Sequence, residues 1–304
     1  MKINSKFISV IITTKNEEDN IENCLRSIIE QSYPRDLIEI IVVDNYSPDR
    51  TIEIAHKYAD IVDTIGPERN TQRNHGMMNL SSAKYLMWID ADMILSRNLI
   101  ENSLSFLSNS GHVALYIPEI IVGDDFFSRV RRFERSFYDN TVIDGSRIIR
   151  RDVFIQSGGF SKEWQHGPDD WDLDKSIKLI GSIGYLQCHE NHPTSILEKL
   201  DLYFLLTNQR QSVIFHNESR LSIFKFIQKK AYYATDFGGY INKWGRGDPD
   251  IKKQIGISYR FFYVFFENGK WRRVIKRPDL YIYIIFIRSL TGIAYILSKL
   301  GLTK

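Results

Sequence analysis

The first hundred residues alternate between two hydrophobic rhythms. Phe7–Thr14 (FISVIITT) is a β-branched apolar run of strand length. Glu17–Gln31 then places Ile21, Cys24, Leu25, Ile28 and Ile29 at helical spacing, and Pro34 closes that segment. Ile38–Asp44 (IEIIVVD) is nearly continuous in apolar character, as a strand buried on both faces must be. The turn-rich Asn45–Arg50 leads to a short helix over Thr51–Tyr58. A third strand is expected over Ile61–Ile65, a helix over Gln72–Leu80 and a fourth strand over Tyr85–Ile89, ending in Asp90-Ala91-Asp92.

Strands joined by helical crossovers of this length predict an α/β fold, a mostly parallel sheet flanked by helices. Further along, the pattern predicts a strand at Val113–Ile117 and a helix at Asp172–Ile180. From about residue 200 it changes to helices rich in Tyr, Phe, Lys and Arg. The expected division is therefore a catalytic body over 1–200 and a helical, aromatic and basic region over 201–304.

Ligands in open parallel sheets collect at the carboxyl ends of the strands. The polar residues there are Thr13, Thr14 and Glu17 after the first strand, Asp44 after the second, and Asp90 and Asp92 after the fourth. Asp favours turns, so one such carboxylate carries little information. Three strands each delivering one predict a shared crevice. Asp90 and Asp92, one residue apart on a turn, can direct oxygens at one hard divalent cation and leave positions open for phosphate oxygens, which suits Mg²⁺ or Mn²⁺.

Composition adds exclusions. With 304 residues, 43% apolar and 25% charged, the chain is neither disordered nor collagen-like nor polytopic in a membrane. Two cysteines do not make a disulfide framework and point to a reducing compartment. The N-terminus lacks a signal-peptide pattern. The net charge of +3 hides an asymmetry: residues 1–200 carry 22 Lys and Arg against 30 Asp and Glu, whereas 201–304 carry 18 against 7. An acidic front suits cation chemistry, and a basic aromatic tail suits an anionic surface.

The stretches ISVIITTKNEEDNIENCLRSI, IEIIVVDNYSPDRT, ERNTQRNHG, MWIDADM, GGF and GPDDWDLDKSIKLIG, spread over about residues 5–185, resemble in order and spacing a family 2 glycosyltransferase of the GT-A fold. The resemblance implies a nucleoside-diphosphate-sugar donor, Mn²⁺ or Mg²⁺, and inversion at the anomeric carbon. It places Thr13, Glu17 and Asp44 at the nucleobase and ribose, and Arg73 and Asn74 beside the diphosphate. Asp90 falls near ribose and metal, and Asp92 becomes the direct metal ligand. Asp170 becomes the general base, while Asp169 departs from the usual Glu and is expected, with Trp171, on the acceptor side. Trp171 also reads as a packed anchor at a helix start.

Among the histidines, His216 in IFHNE is favoured over His189 and His192 in CHENHPTS as a further metal contact, on a resemblance of FHNESRLSIFKFIQKKAYYA to subfamilies acting on lipid-linked acceptors. Arg129, Arg131, Arg132 and Arg135 read either as a phosphate-binding face or as partners of Glu134 and nearby acids. Lys270–Arg277 has five basic residues in eight and precedes Leu280–Leu300, an apolar stretch interrupted by Arg288. Together, 270–304 reads as a basic amphipathic segment lying in a membrane interface with Arg288 reaching outward. A helix packed internally is the other reading. Nucleic acid is not expected, since no binding motif accompanies the charge.

The expectation is thus an enzyme peripheral on the cytoplasmic face of the membrane, extending a glycan or lipid-linked acceptor. A catalytically inactive nucleotide-sugar-binding scaffold is the alternative. A sugar-nucleotide pyrophosphorylase is disfavoured, because ITTKNEED is not a Gly-rich phosphate loop.

Overall fold

The computed structural model describes residues 6–164, 167–187, 212–219, 221–233 and 236–299. Its strands are β1 (Ile8–Thr14), β2 (Ile38–Asp44), β3 (Ile61–Thr64), β4 (Tyr85–Asp90), β5 (Met93–Leu95), β6 (Ala114–Tyr116), β7 (Glu119–Val122), β8 (Ser146–Arg150), β9 (Ile183–Tyr185) and β10 (Ile214–Asn217). Seven of them form one sheet in the order β3-β2-β1-β4-β8-β6-β9. The first four are parallel, and β8 runs antiparallel to both its neighbours. This is the mixed α/β sheet of the GT-A fold.

The sheet is buried on both faces, which is why its central strands read as unbroken apolar runs. Alternate residues divide between two cores. Ile8, Val10, Ile12, Ile40, Val42, Met87 and Ile89 enter one; Ile11, Ile41, Val43, Leu86 and Trp88 enter the other. Register then aligns the strand ends: Thr14 pairs with Asp44, and Thr13 with Asp90. The chain steps outward from β1 through β2 to β3 and then crosses to β4 on the other side of β1, so the crevice opens at their carboxyl ends.

Three helices differ from the sequence reading in their limits. The first begins at Ile21, because the backbone N–H groups of Glu17 and Glu18 go instead to Thr51 Oγ1 and Asp49 Oδ2. The helix expected over Gln72–Leu80 starts at Arg69 and widens into a π-turn from His75, where Gly76 lies flat on the sheet; a Cβ there would sit 2.7 Å from Ile11 Cγ2. The helix expected from Asp172 starts at Asp169, placing three carboxylates in its first turn, where the backbone N–H groups favour negative charge.

A second, three-stranded sheet was not foreseen. Its order is β5-β10-β7, with β10 antiparallel to β5 and parallel to β7. The β10 strand lies beyond residue 200 yet completes a sheet with strands from the first 200 residues. A third core joins the Phe126–Arg135 helix to the helical region through Val130, Phe137, Tyr138, Phe226, Val264, Phe265, Leu280, Ile284 and Ile287.

The C-terminal helix, Pro278–Lys299, therefore packs one stripe (Leu280, Ile284, Ile287) inward and exposes Ile282, Tyr283, Phe286, Ile293 and Ile296. By length and composition, Pro278–Leu297 is apolar enough to cross a membrane. Arg288 does not reach outward as expected. Its guanidinium turns inward, with Nη2 2.8 Å from Glu134 Oε1 and in contact with the Tyr138 hydroxyl.

Candidate active site

The crevice is built on strand ends. Asp44 closes β2, with no solvent exposure. Its Oδ1 accepts from Thr14 Oγ1 at 2.6 Å and from Ser47 Oγ at 2.6 Å, and its Oδ2 accepts from Ser47 N at 2.7 Å. These three donors fix the Asp44 carboxylate in the crevice wall. Thr13 is buried beside it. Glu17 stands half-buried on the loop after β1 and accepts from Asn20 Nδ2 at 2.8 Å. Burial and the nearby Asp92 and Asp90 charges raise its pKa above the ordinary value, against the pull of Asn20.

Arg73 is the centre of the site. Its side chain is 1% exposed, and three carboxylates converge on it. Nη2 donates to Asp90 Oδ1 at 3.2 Å; Nη1 donates to Asp169 Oδ2 at 3.2 Å and to Asp170 Oδ1 at 3.1 Å. Arg69, which the sequence reading passed over, adds a 2.9 Å bond to Asp169 Oδ2. One guanidinium thus ties the end of β4 to the first turn of the Asp169–Lys178 helix. Burial opposes charge on Asp90, yet the cations of Arg73, Arg69, Arg147 and His216 hold it below the carboxylate range. Asp169 goes the other way: burial, helped by Asp170, outweighs Arg69 and Arg73 and raises it.

The two acids of the Asp169-Asp170 pair are not equivalent. The Asp169 side chain is 2% exposed and enclosed by the two arginines, while that of Asp170 is 25% exposed. Asp169 thus holds the two arginines in place. Gly145 lies against Asp170 so closely that a Cβ there would stand 3.0 Å from the Asp170 Cβ.

The Asn74 amide clamps the loop after Gly159, donating to Phe160 O at 2.8 Å and accepting from Phe160 N at 2.9 Å. Gly159 at φ +70° takes the left-handed conformation this clamp needs, and a Cβ there would meet Asn74 Oδ1 at 2.7 Å. Trp171 packs rather than projects. Its indole N–H donates to Ile143 O at 3.0 Å and its ring stacks on Phe237 at 5.9 Å. This is the anchor reading of that residue.

The second sheet brings in His216. Register sets it opposite Met93, and Asn217 N donates to Asp92 O at 2.8 Å. The imidazole Nε2 stands 3.2 Å from Asp92 Oδ2, and Nδ1 lies 3.7 Å from Glu119 Oε2. Burial disfavours the charged ring, but Asp92 and Glu119 raise its pKa well above the ordinary value. His189 and His192 lie outside the described residues.

Among the described residues, no three His, Cys, Asp or Glu side chains form a ready-made metal cage. The donor set nevertheless fits a divalent cation. Asp92 Oδ1 is buried without a hydrogen-bond partner, beside an imidazole that approaches the other carboxylate oxygen. An orphaned anionic oxygen is costly unless something positive meets it.

The arginines of the Phe126–Arg135 helix mostly pair internally. Arg131 binds Glu134 and Glu218, Arg132 donates to the Ile121 and Gly123 carbonyls, and Arg135 binds Glu119 and Asp144.

Comparison with known proteins bears on this geometry. Residues 9–161 match the sequence profile described as Glycosyl transferase family 2. The chain is 44% identical over 257 residues to a dolichyl N-acetyl-α-D-glucosaminyl phosphate 3-β-D-2,3-diacetamido-2,3-dideoxy-β-D-glucuronosyltransferase of Methanococcus voltae, covering 78% of this chain and 74% of that protein. It is 28% identical over 212 residues to the glycosyltransferase AglE of Haloferax volcanii, covering 64% of this chain and 70% of AglE. In structure it is similar to a mannosyltransferase of Pyrobaculum calidifontis solved with GDP-Man and Mn²⁺, with a TM-score of 0.64 at 16% identity over 96% of this chain and 87% of the other. It is also similar to a TarS fragment of S. aureus solved with UDP, with a TM-score of 0.53 at 18% identity over 97% and 92%.

Proposed function

From the premise that this chain belongs to glycosyl transferase family 2, we propose that it moves a sugar from a nucleoside-diphosphate donor to a hydroxyl of a glycan or lipid-linked acceptor, with inversion. The observation that carries this reading is the bridge through Arg73, which holds Asp90 of the donor side and Asp170 of the acceptor side on one guanidinium. The names of the M. voltae relative and of the P. calidifontis mannosyltransferase support a lipid-linked acceptor and a nucleotide-sugar donor.

Asp170 is the exposed member of its pair and takes the proton of the acceptor hydroxyl. The acceptor oxygen bonds to the anomeric carbon as the bond to the diphosphate breaks, and the diphosphate leaves with that electron pair. A diphosphate needs no strong acid to leave, so one base and one in-line displacement suffice, which inverts the centre. Glu17 and Thr13 line the nucleoside side of the crevice, and Asp44 shapes it. Asp92 and His216, with Asp90 nearby, would hold Mn²⁺ or Mg²⁺. When bound, the cation neutralises charge growing on the departing diphosphate. The basic residues before the C-terminal helix and that helix's exposed apolar face support action at a membrane surface.

The test is to screen UDP- and GDP-sugars with Mn²⁺ for donor turnover, and to assign the product anomer by NMR. Asp92→Ala is expected to lose metal-dependent nucleotide binding. Asp170→Asn is expected to keep that binding and lose transfer. Transfer at the wild-type rate by both variants would refute the assignment, and binding without turnover by the wild type would leave the scaffold alternative.

A further inference from the structure

Beside the crevice, under the C-terminal helix, a second cluster of charges takes no part in the bridge through Arg73. Glu134 lies at its centre, binding Arg131, Arg288 and the Tyr138 hydroxyl. Three guanidinium groups stand over the Tyr138 ring: Arg260 with Cζ at 5.5 Å, Arg288 at 5.8 Å and Arg135 at 6.0 Å. Two cations stand over the Phe226 ring: Arg131 with Cζ at 4.5 Å and Lys230 with Nζ at 5.5 Å. These residues come from four separate segments of the chain, so their convergence is a product of the fold.

The charges do not balance. The carboxylates that meet Arg131, Arg288, Arg260 and Lys230 among the described residues are Glu134 and Glu218, which pair with Arg131 and Arg288 and leave Arg260 and Lys230 without one at ion-pair distance. The neighbouring Arg135 is already matched by Glu119 and Asp144. Two buried nitrogens, Arg260 Nη1 and Arg288 Nη1, have no hydrogen-bond partner, and the Arg288 side chain is only 9% exposed. A buried guanidinium N–H without an acceptor is costly until one meets it.

We propose that Arg131, Lys230, Arg260 and Arg288 form a binding site for a phosphate group. Planar guanidinium forks with free N–H donors match phosphate oxygens, and a flexible ammonium at the rim adds a point charge. Lys230 and Arg260 give the site its opening, since both retain exposure to solvent. Burial, with the Arg288 and Arg131 cations, brings the Arg260 pKa below its ordinary value against the pull of Tyr138 and Glu134, which is the mark of a place short of negative charge.

The position fits a phosphate on an apolar chain. Exposed Tyr283 and Phe286 lie on the outer face of the helix that carries Arg288. On the other side, Arg131 bonds Glu218 at 3.0 Å, and the Glu218 backbone N–H donates to His216 O at 3.1 Å, so the cluster adjoins the candidate metal end of the crevice. The proposal does not depend on sugar transfer, because none of its side chains is assigned to donor or base.

The experiment uses the full chain without donor. Calorimetric titration with inorganic phosphate, with n-octyl phosphate and with n-octyl sulfobetaine as an uncharged-net control is compared between wild type, Arg260→Gln and the double variant Lys230→Gln/Arg260→Gln. The wild type is expected to bind a phosphate probe, and the double variant to bind it at least tenfold more weakly while keeping or raising its Tm. Preference for octyl phosphate over inorganic phosphate would identify an amphiphile as the source; equal binding would identify free phosphate. Arg260→Gln serves alone if the double variant fails to fold. The proposal is overturned if no phosphate probe binds the wild type, or if folded variants bind it as the wild type does. Asp92→Ala is expected to lose nucleotide binding with Mn²⁺ and to keep the phosphate probe, which separates failure of this site from failure of the transferase reading.

Discussion

His216 Nε2 stands 3.2 Å from Asp92 Oδ2, although 124 residues separate them in the chain. The contact exists because β10 inserts between β5 and β7 and sets His216 opposite Met93, the residue after Asp92. The Glu119 carboxylate behind the ring leaves Nε2 facing Asp92. If this pair holds the cation, His216→Ala weakens Mn²⁺ affinity in the presence of nucleoside diphosphate by at least about 10–100-fold, the range seen when even outer-shell partners are removed. Titration calorimetry or the Mn²⁺ EPR signal measures this directly. Unchanged affinity would remove His216 from the metal site.

Gly145 tests the role of Asp170 without touching its chemistry. A methyl group at residue 145 would stand 3.0 Å from the Asp170 Cβ and 3.4 Å from its Cγ, closer than ordinary contact. Gly145→Ala is therefore expected to displace the carboxyl by a few tenths of an ångström. Small misplacements at reacting groups are expensive, so kcat should fall on the order of tenfold while donor affinity and Tm change little. A variant with wild-type kcat would show that Asp170 has room to spare and is not held for catalysis.

Much of this site was legible in the sequence, and the reason is local. Asp44 and Asp90 end runs of buried residues, so the strand rule places them at one edge before any coordinates are known. What escaped depends on distant pairing. The strands β5 and β9 have three residues each and give almost no periodic signal, whereas β6 lies within the strand expected at Val113–Ile117. VIFHN, an apolar run ending at His216, could have suggested β10, but not its neighbours. Arg69 could have been noticed as a second arginine one helical turn before Arg73. The sequence could not show that Asn74 clamps Phe160 or that Thr14 holds Asp44, since these bonds span 86 and 30 residues. Arg288 misled for a related reason, since its partner Glu134 lies 154 residues away.

Asp174 makes stability depend on pH. It is 3% exposed and accepts from the Ser146 hydroxyl at 2.5 Å. Burial is the largest influence, with Asp170 adding to it against Ser146, and the pKa is raised to about 7. In the unfolded chain the same group titrates near about 4. The folded state therefore binds more protons between those values, and the contribution is complete below about pH 4 and lost as pH rises through about 7. Asp174→Asn removes this titration. Denaturant midpoints of the two proteins between pH 4.5 and 8 should diverge progressively, the wild type losing stability relative to the variant by on the order of 3–4 kcal/mol across the window. Parallel curves would contradict the shift.

The two faces of the C-terminal helix predict how membrane binding can be separated from folding. Leu280, Ile284 and Ile287 lie in the core with Phe265, so removing the helix would strip apolar contacts worth several kcal/mol and confound any change in localisation. Ile282, Phe286, Ile293 and Ile296 are each more than half exposed on the other face. Replacing these four by Ser leaves the packed stripe intact and removes the surface that would enter an interface. Binding to anionic vesicles, measured by co-sedimentation, should fall by at least tenfold while Tm shifts by no more than a few degrees, because exposed positions contribute little to folding. Neutralising Arg272 and Lys276 should weaken the same binding more at low salt than at high salt, since their part is Coulombic and screened. If the fourfold Ser variant sediments with vesicles as the wild type does, the exposed face is not the membrane contact.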